Sequence, residues 1–193
     1  MNYSCPRPQP VKLGDAPSYN GDPDLLLLRE DLAEETGSII GYFECSGLAR
    51  DYRVGKVFRR IANDELGHFA ALLQLITGID AAQAEELKRQ DLQIMAIGGD
   101  EICPYHPDDQ RNTRAEQKRV YADDPVWDFL QNAIKDELLA INAYQRQVGI
   151  AVAPAVQGLL INIMNKEKEH FVTFTKLFYE LYGLRRDWTV LTD

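Results

Sequence analysis

"NKEKEHF", residues 165–171, decides the fold, because two of its charged side chains stand where an apolar stripe should continue. Val156, Leu160, Ile163, Glu167, His170, Phe174 and Leu177 recur at alternating spacings of four and three, the signature of one buried helix face. Glu167 and His170 therefore occupy core positions. Residues three apart lie about 60° from each other around a helix, so these two point the same way.

Three further segments repeat the pattern. One seam runs Val54, Phe58, Ile61, Glu65, His68, Leu72, Leu75. Another runs Leu28, Leu32, Glu35, Ile39, Tyr42, Ala49, and a third Leu130, Ile134, Glu137, Ile141, Tyr144, Val148, Ala151. Each seam holds a carboxylate near its middle, and two add a histidine one turn later. Sliding the chain by 102 residues, with no gap, lays residues 22–78 on 124–180. Asp22-Pro23 falls on Asp124-Pro125, Glu35 on Glu137, Tyr42 on Tyr144, Asn63 on Asn165, Glu65 on Glu167, and His68-Phe69 on His170-Phe171. A duplicated helical hairpin follows, with four long helices related by a pseudo-twofold axis.

The boundaries come from capping chemistry. Asp22 as N-cap and Pro23 at the first helical position start one helix. The second is expected from about Asp51 to Thr77, ending at Gly78 in a left-handed cap. Asp80 is expected to cap a shorter helix through about Ile97. Asp124 and Pro125 start the third long helix, and Pro154 breaks the chain before a fourth that stops at Gly183. The organisation is thus an irregular arm (1–21), a bundle (22–183) made of hairpin 22–78, crossover 79–123 and hairpin 124–183, and a tail (184–193).

With 193 residues the chain suits one domain. A net charge of −9 argues against nucleic acid and acidic membranes as partners. Cys5, Cys45 and Cys103 form no C-x-x-C, so no disulfide framework or cysteine metal site is indicated. No run of ~18 apolar residues occurs, and a soluble, cytoplasmic protein is expected.

Four ionised carboxylates in one core are prohibitive alone, since each isolated buried charge costs several kcal/mol. Two divalent cations cancel four negative charges, and two neutral imidazoles complete the coordination. A Glu from each of two helices with Glu-x-x-His from each of the others is the dimetal carboxylate pattern of ferritin-like bundles. On Glu35, "ELGH" (65–68), Glu137 and "EKEH" (167–170), residues 22–180 resemble the ferritin-like superfamily, and most closely its rubrerythrin-type branch. The resemblance implies an all-α, ferritin-like four-helix bundle with a long crossover containing an extra helix packed across one end. It implies Glu35 and His68 as terminal ligands of one metal, Glu137 and His170 of the other, with Glu65 and Glu167 bridging. Tyr42 and Tyr144 lie seven residues after a ligand Glu, where similar proteins hydrogen-bond a ligand carboxylate; plain core packing is the other reading.

The expected function is a di-iron oxidoreductase, a peroxidase or ferroxidase acting on hydrogen peroxide or O₂. Iron is the first metal by ligand hardness and manganese the second. The alternatives are an iron-storage protein and manganese-catalase-like peroxide disproportionation. Rubrerythrins carry a C-terminal rubredoxin domain with two C-x-x-C motifs. This chain ends at Asp193 without them, so electrons are expected from a separate donor protein. Rubrerythrins also carry a glutamate three residues before the third-helix ligand, where Ile134 stands here. A homodimer or larger homo-oligomer is expected from the family. Glu34, Asp64, Asp136 and Glu169 point away from the ligand direction and are expected in solvent. Cys103 and His106 read as loop residues, and Cys45 as a small buried hydrophobe.

Overall fold

A computed structural model describes residues 21–90 and 126–181. The expectations for the arm before residue 21, for Cys103 and His106, for Asp124-Pro125, for Gly183 and for the tail lie outside the described residues. Among the described residues all regular structure is helical: α1 (Pro23–Leu48), α2 (Tyr52–Ile79), α3 (Ala81–Arg89), α4 (Val126–Val148) and α5 (Pro154–Leu181).

The first helix begins as its sequence dictates. Asp22 accepts a hydrogen bond from the Asp24 amide, and Pro23 occupies the first turn, where its missing N–H costs nothing. The end of α2 differs from expectation. The helix runs through Gly78 to Ile79, and the break falls at Asp80, whose backbone is extended. Asp80 accepts from the amides of Ala82 and Gln83, so the cap of the next helix, not a glycine, terminates α2. The α3 helix closes at Arg89; residues 91–97, over which it was expected to continue, lie outside the described part. Arg29 of α1 binds Asp80 and Gln83 at 2.5 and 3.0 Å, fastening α3 to the end of the bundle where α1 starts.

The α1 and α2 helices pack as one antiparallel hairpin and α4 and α5 as the other; α2 and α5 join the two, while α1 and α4 meet less closely. At the turn between α1 and α2, Gly55 permits close approach, since a Cβ there would lie 3.0 Å from the Ser46 carbonyl oxygen. The opposite turn is tied across hairpins. Asp24 of α1, 1% exposed, accepts the amides of Val152 and Ala153, each at 2.8 Å. It thereby satisfies donors at the start of α5 that the helix cannot satisfy itself.

The core falls into two clusters. One gathers Tyr42, Phe58, Ile61, Leu130 and Phe174 around the start of α4; the other gathers Leu28, Leu72, Tyr144, Leu160 and Ile163 around the start of α1. The 102-residue shift exchanges them: Leu28 corresponds to Leu130, Leu72 to Phe174, Ile61 to Ile163. Each fully buried Leu, Ile or Phe contributes roughly 1.5–3 kcal/mol. The α4 start packs at the opposite end of the bundle from α3. Between the clusters lies a polar layer.

Candidate metal centre

That layer is built from the residues that interrupt the four seams. Glu35 enters from α1, Glu65 and His68 from α2, Glu137 from α4, Glu167 and His170 from α5, and all six are buried. They form two donor groups. Glu35, Glu65, His68 and Glu167 bring one ligand atom each to within 4.8 Å of one another, and so do Glu65, Glu137, Glu167 and His170. Glu65 and Glu167 belong to both.

Both imidazoles turn Nδ1 inward. His68 Nδ1 lies 2.8 Å from Glu65, 3.0 Å from Glu167 and 3.5 Å from Glu35. His170 Nδ1 lies 3.0 Å from Glu167, 3.1 Å from Glu65 and 3.8 Å from Glu137. The i, i+3 spacing within each helix sets the first contact, and the packing of α2 on α5 sets the others. His170 Nε2 faces Asp64 at 3.4 Å.

Each tyrosine reaches across to the other hairpin. The Tyr42 hydroxyl donates to Glu137 at 2.7 Å, and the Tyr144 hydroxyl donates to Glu35 at 2.5 Å. Seven residues is nearly two turns, so the ring points along its helix seam but one layer away, where the opposing antiparallel helix brings its Glu. The Tyr42 ring also packs against Phe58 and Phe174, at centroid distances of 5.8 and 5.3 Å. Both readings of these residues hold at once: they pack in the core and bond a site carboxylate.

The electrostatics divide the carboxylates into pairs. Burial pushes Glu35 up to about 8 and Glu137 up to about 10. Burial also raises Glu167, but the close imidazoles of His170 and His68 outweigh it and hold the group at about 2. Glu65 is likewise held low by the two histidines against its burial. Burial opposes charge on the imidazoles, yet the surrounding carboxylates push His68 and His170 up to about 12. Two anions, two imidazolium rings and two neutral acids thus balance, and the layer takes up protons when it holds no other cation.

Protons alone do not satisfy its geometry. Glu65 Oε2, His68 Nδ1 and Glu167 Oε1 are buried without a hydrogen-bond partner, although Nδ1 stands within 3.0 Å of both oxygens. The separations are those of hydrogen bonds and the angles are not. Donor atoms crowded around a common point, each lacking a bond to its neighbour, suit a cation between them. The donor set of carboxylate oxygens and imidazole nitrogens could hold a pair of divalent transition metals.

All six side chains expected to converge do so, and Glu34, Asp136 and Glu169 are exposed as expected. Asp64 is also exposed, but it is more than a solvated acid: His170 beside it holds its carboxyl below the usual range. The helix position of Asp64 gave its direction and not its neighbour. Asp31, fully buried four residues before Glu35, was missed; the spacing 24, 28, 31, 35 along α1 is the signal that marks it. No helix among the described residues is long and apolar enough to cross a membrane. Comparison with family models, curated proteins and solved structures finds no match for this chain.

Proposed function

We propose that the protein is a rubrerythrin-like di-iron oxidoreductase of the ferritin-like superfamily, reducing hydrogen peroxide or oxidising Fe(II) with peroxide or O₂. One observation carries the reading: Glu65 and Glu167 belong to both donor groups, as two carboxylates spanning a pair of metals must. On this reading Glu35 and His68 complete one half of the centre, and Glu137 and His170 the other. When bound, two iron ions supply the two electrons that split a peroxide O–O bond without a one-electron product.

The chain's own residues prepare the place for that chemistry. Tyr42 and Tyr144 each engage one oxygen of a terminal carboxylate and leave its other oxygen for a cation. Asp64 engages His170 Nε2, which fixes the ring with Nδ1 turned to the centre. The two apolar clusters exclude water from above and below. At the position of the extra rubrerythrin glutamate, Ile134 packs against the apolar cluster, so the α4 side offers one carboxylate.

Protein purified without air is expected to hold about two irons per chain, and its reduced form to be oxidised rapidly by peroxide. Glu65→Ala, which removes a donor from both halves, should lose the metals and the reaction. Equal rates in the two proteins would overturn the reading, and two manganese ions would move it to peroxide disproportionation. Size-exclusion chromatography separates enzyme from storage: a dimer or small oligomer fits the enzyme, a large shell with a mineral core does not.

A further inference from the structure

Asp31 lies in α1 one turn before Glu35 and has no exposed surface. Among the described residues its side chain takes one hydrogen bond, from Gln147 of α4, whose Nε2 donates to Oδ1 at 2.7 Å. The remaining oxygens of the pair, Asp31 Oδ2 and Gln147 Oε1, are both buried and both without a partner. Two buried acceptors and no donor is an unfavourable arrangement. One proton on Oδ2 repairs it, because a carboxylic acid and a primary amide joined by one N–H···O bond can close a second, O–H···O bond between their other oxygens.

The surroundings favour the neutral acid. Burial is the main influence and takes Asp31 up to about 7, with Glu34 and Glu30 of its own helix adding to the rise and the Gln147 bond opposing it. From α4 the other facing group is the Tyr144 hydroxyl, close enough for the Asp31 charge to bear on it. Among the described residues no lysine, arginine or histidine pairs with Asp31. Tyr144 in turn donates to Glu35, so Asp31 adjoins the centre without being one of its donors.

We propose that Asp31, buried and paired with Gln147, serves as the proton store of the metal centre. The proposal rests on the di-iron reading above. Reduction of one hydrogen peroxide by two Fe(II) consumes two protons and gives two waters and two Fe(III). One of those protons leaves Asp31 Oδ2 toward Tyr144 and Glu35, breaking the acid O–H bond, and the other comes from solvent water, whose hydroxide is neutralised by the buffer. The carboxylate left behind regains a proton from water at the half-buried edge of Gln147. The duplicated positions are Ala133 and Cys45, which hold no acid, and burial pushes the Cys45 thiol up to about 12. Proton supply is therefore one-sided.

Asp31→Asn tests it, since an amide–amide pair with Gln147 reproduces both hydrogen bonds and should fold and load iron as the parent does. In the parent, peroxide oxidation of the diferrous protein should slow as pH rises through about 7. In Asp31→Asn it should be slower by about 100-fold near ~pH 6 and flat with pH. Gln147→Met removes the bond that stabilises the ionised form, so the fall in rate should move to higher pH. An Asp31→Asn protein that holds two irons and reacts at the parental rate at every pH overturns the proposal and leaves the di-iron reading standing. So does an unshifted profile in Gln147→Met. Failure of the parent itself to bind iron overturns the di-iron reading, and the proton store with it.

Discussion

The hairpins 23–79 and 126–181 carry the same four side chains at the same spacing, Glu, Tyr, Glu and His, yet differ at several positions bordering them. Asp64 faces His170, while its counterpart Lys166 turns to Glu169 and leaves His68 without an acidic partner of that kind. Asp31 and Gln147 fill one end of the α1–α4 boundary. Their counterparts Ala133 and Cys45 line a cleft of about 570 Å³ between the same helices. One apolar cluster is aromatic, built on Tyr42, Phe58 and Phe174, and the other replaces the last two with Leu160 and Leu72. Charge balance requires both halves of the six-residue layer, so those positions stay alike. The Asp31–Gln147 pair, the acid beside an imidazole and the cleft each occur in one copy, and there the copies diverge.

The largest effect should come from testing the shared carboxylates against the unshared ones. Glu167→Ala removes a donor from both groups, so affinity for both metal ions should fall by more than ~100-fold. Glu137→Ala removes a donor from one, and about one ion per chain should survive gel filtration and elemental analysis. Loss of both ions from both variants breaks the picture of two halves joined by common ligands.

Acidity should act on the halves together. Glu35, Glu137, His68 and His170 all hold protons at neutral pH in the metal-free layer, with values of about 8, 10, 12 and 12. Metal binding must release them, so affinity rises with pH, by about tenfold per pH unit for each proton released. Titration calorimetry in buffers of different ionisation enthalpy counts those protons. An affinity unchanged from about pH 6 to about pH 8 contradicts the charge assignment.

Asp24 provides a structural contrast, because the duplicated position is Val126, which has no carboxylate. Asp24→Ala leaves the amides of Val152 and Ala153 without their acceptor; at roughly 0.5–1.5 kcal/mol for each part-buried bond lost, it should cost about 1–3 kcal/mol in urea unfolding. Metal stoichiometry should not change. The smallest effect is expected at Asp64: Asp64→Asn should weaken the ion beside His170 by about tenfold, whereas Lys166→Met should leave both ions as they were. An equal response in the two variants would remove the distinction between the histidines.

Much of this was legible before any packing was known. A helix period places residues on a face whatever surrounds them, so Glu35, Glu65, His68, Glu137, Glu167 and His170 could be assigned to core positions, and Tyr42 and Tyr144 beside them. The capping role of Asp22 is equally local, spanning two residues. Asp31 was harder, because the four-leucine run 25–28 blurs the stripe of α1: Leu26 is 61% exposed and Leu28 fully buried. At Gly78 a permissive backbone was read as a stop, although permission to leave the helix is not a reason to leave it. Asp80 supplied the reason.

The sequence by itself determined four amphipathic helices, their duplication and the six acidic and histidine side chains on their core faces, because periodicity and composition are properties of a single strand of chain. Only the tertiary structure decided which hairpin each tyrosine serves, that Asp24 holds a turn 128 residues away, that Asp64 belongs to His170, and that Asp31 pairs with Gln147. Each of those depends on how two helices are rotated and shifted against each other. A helix fixes the direction of its side chains, but the partner met in that direction is set by the packing of the whole core.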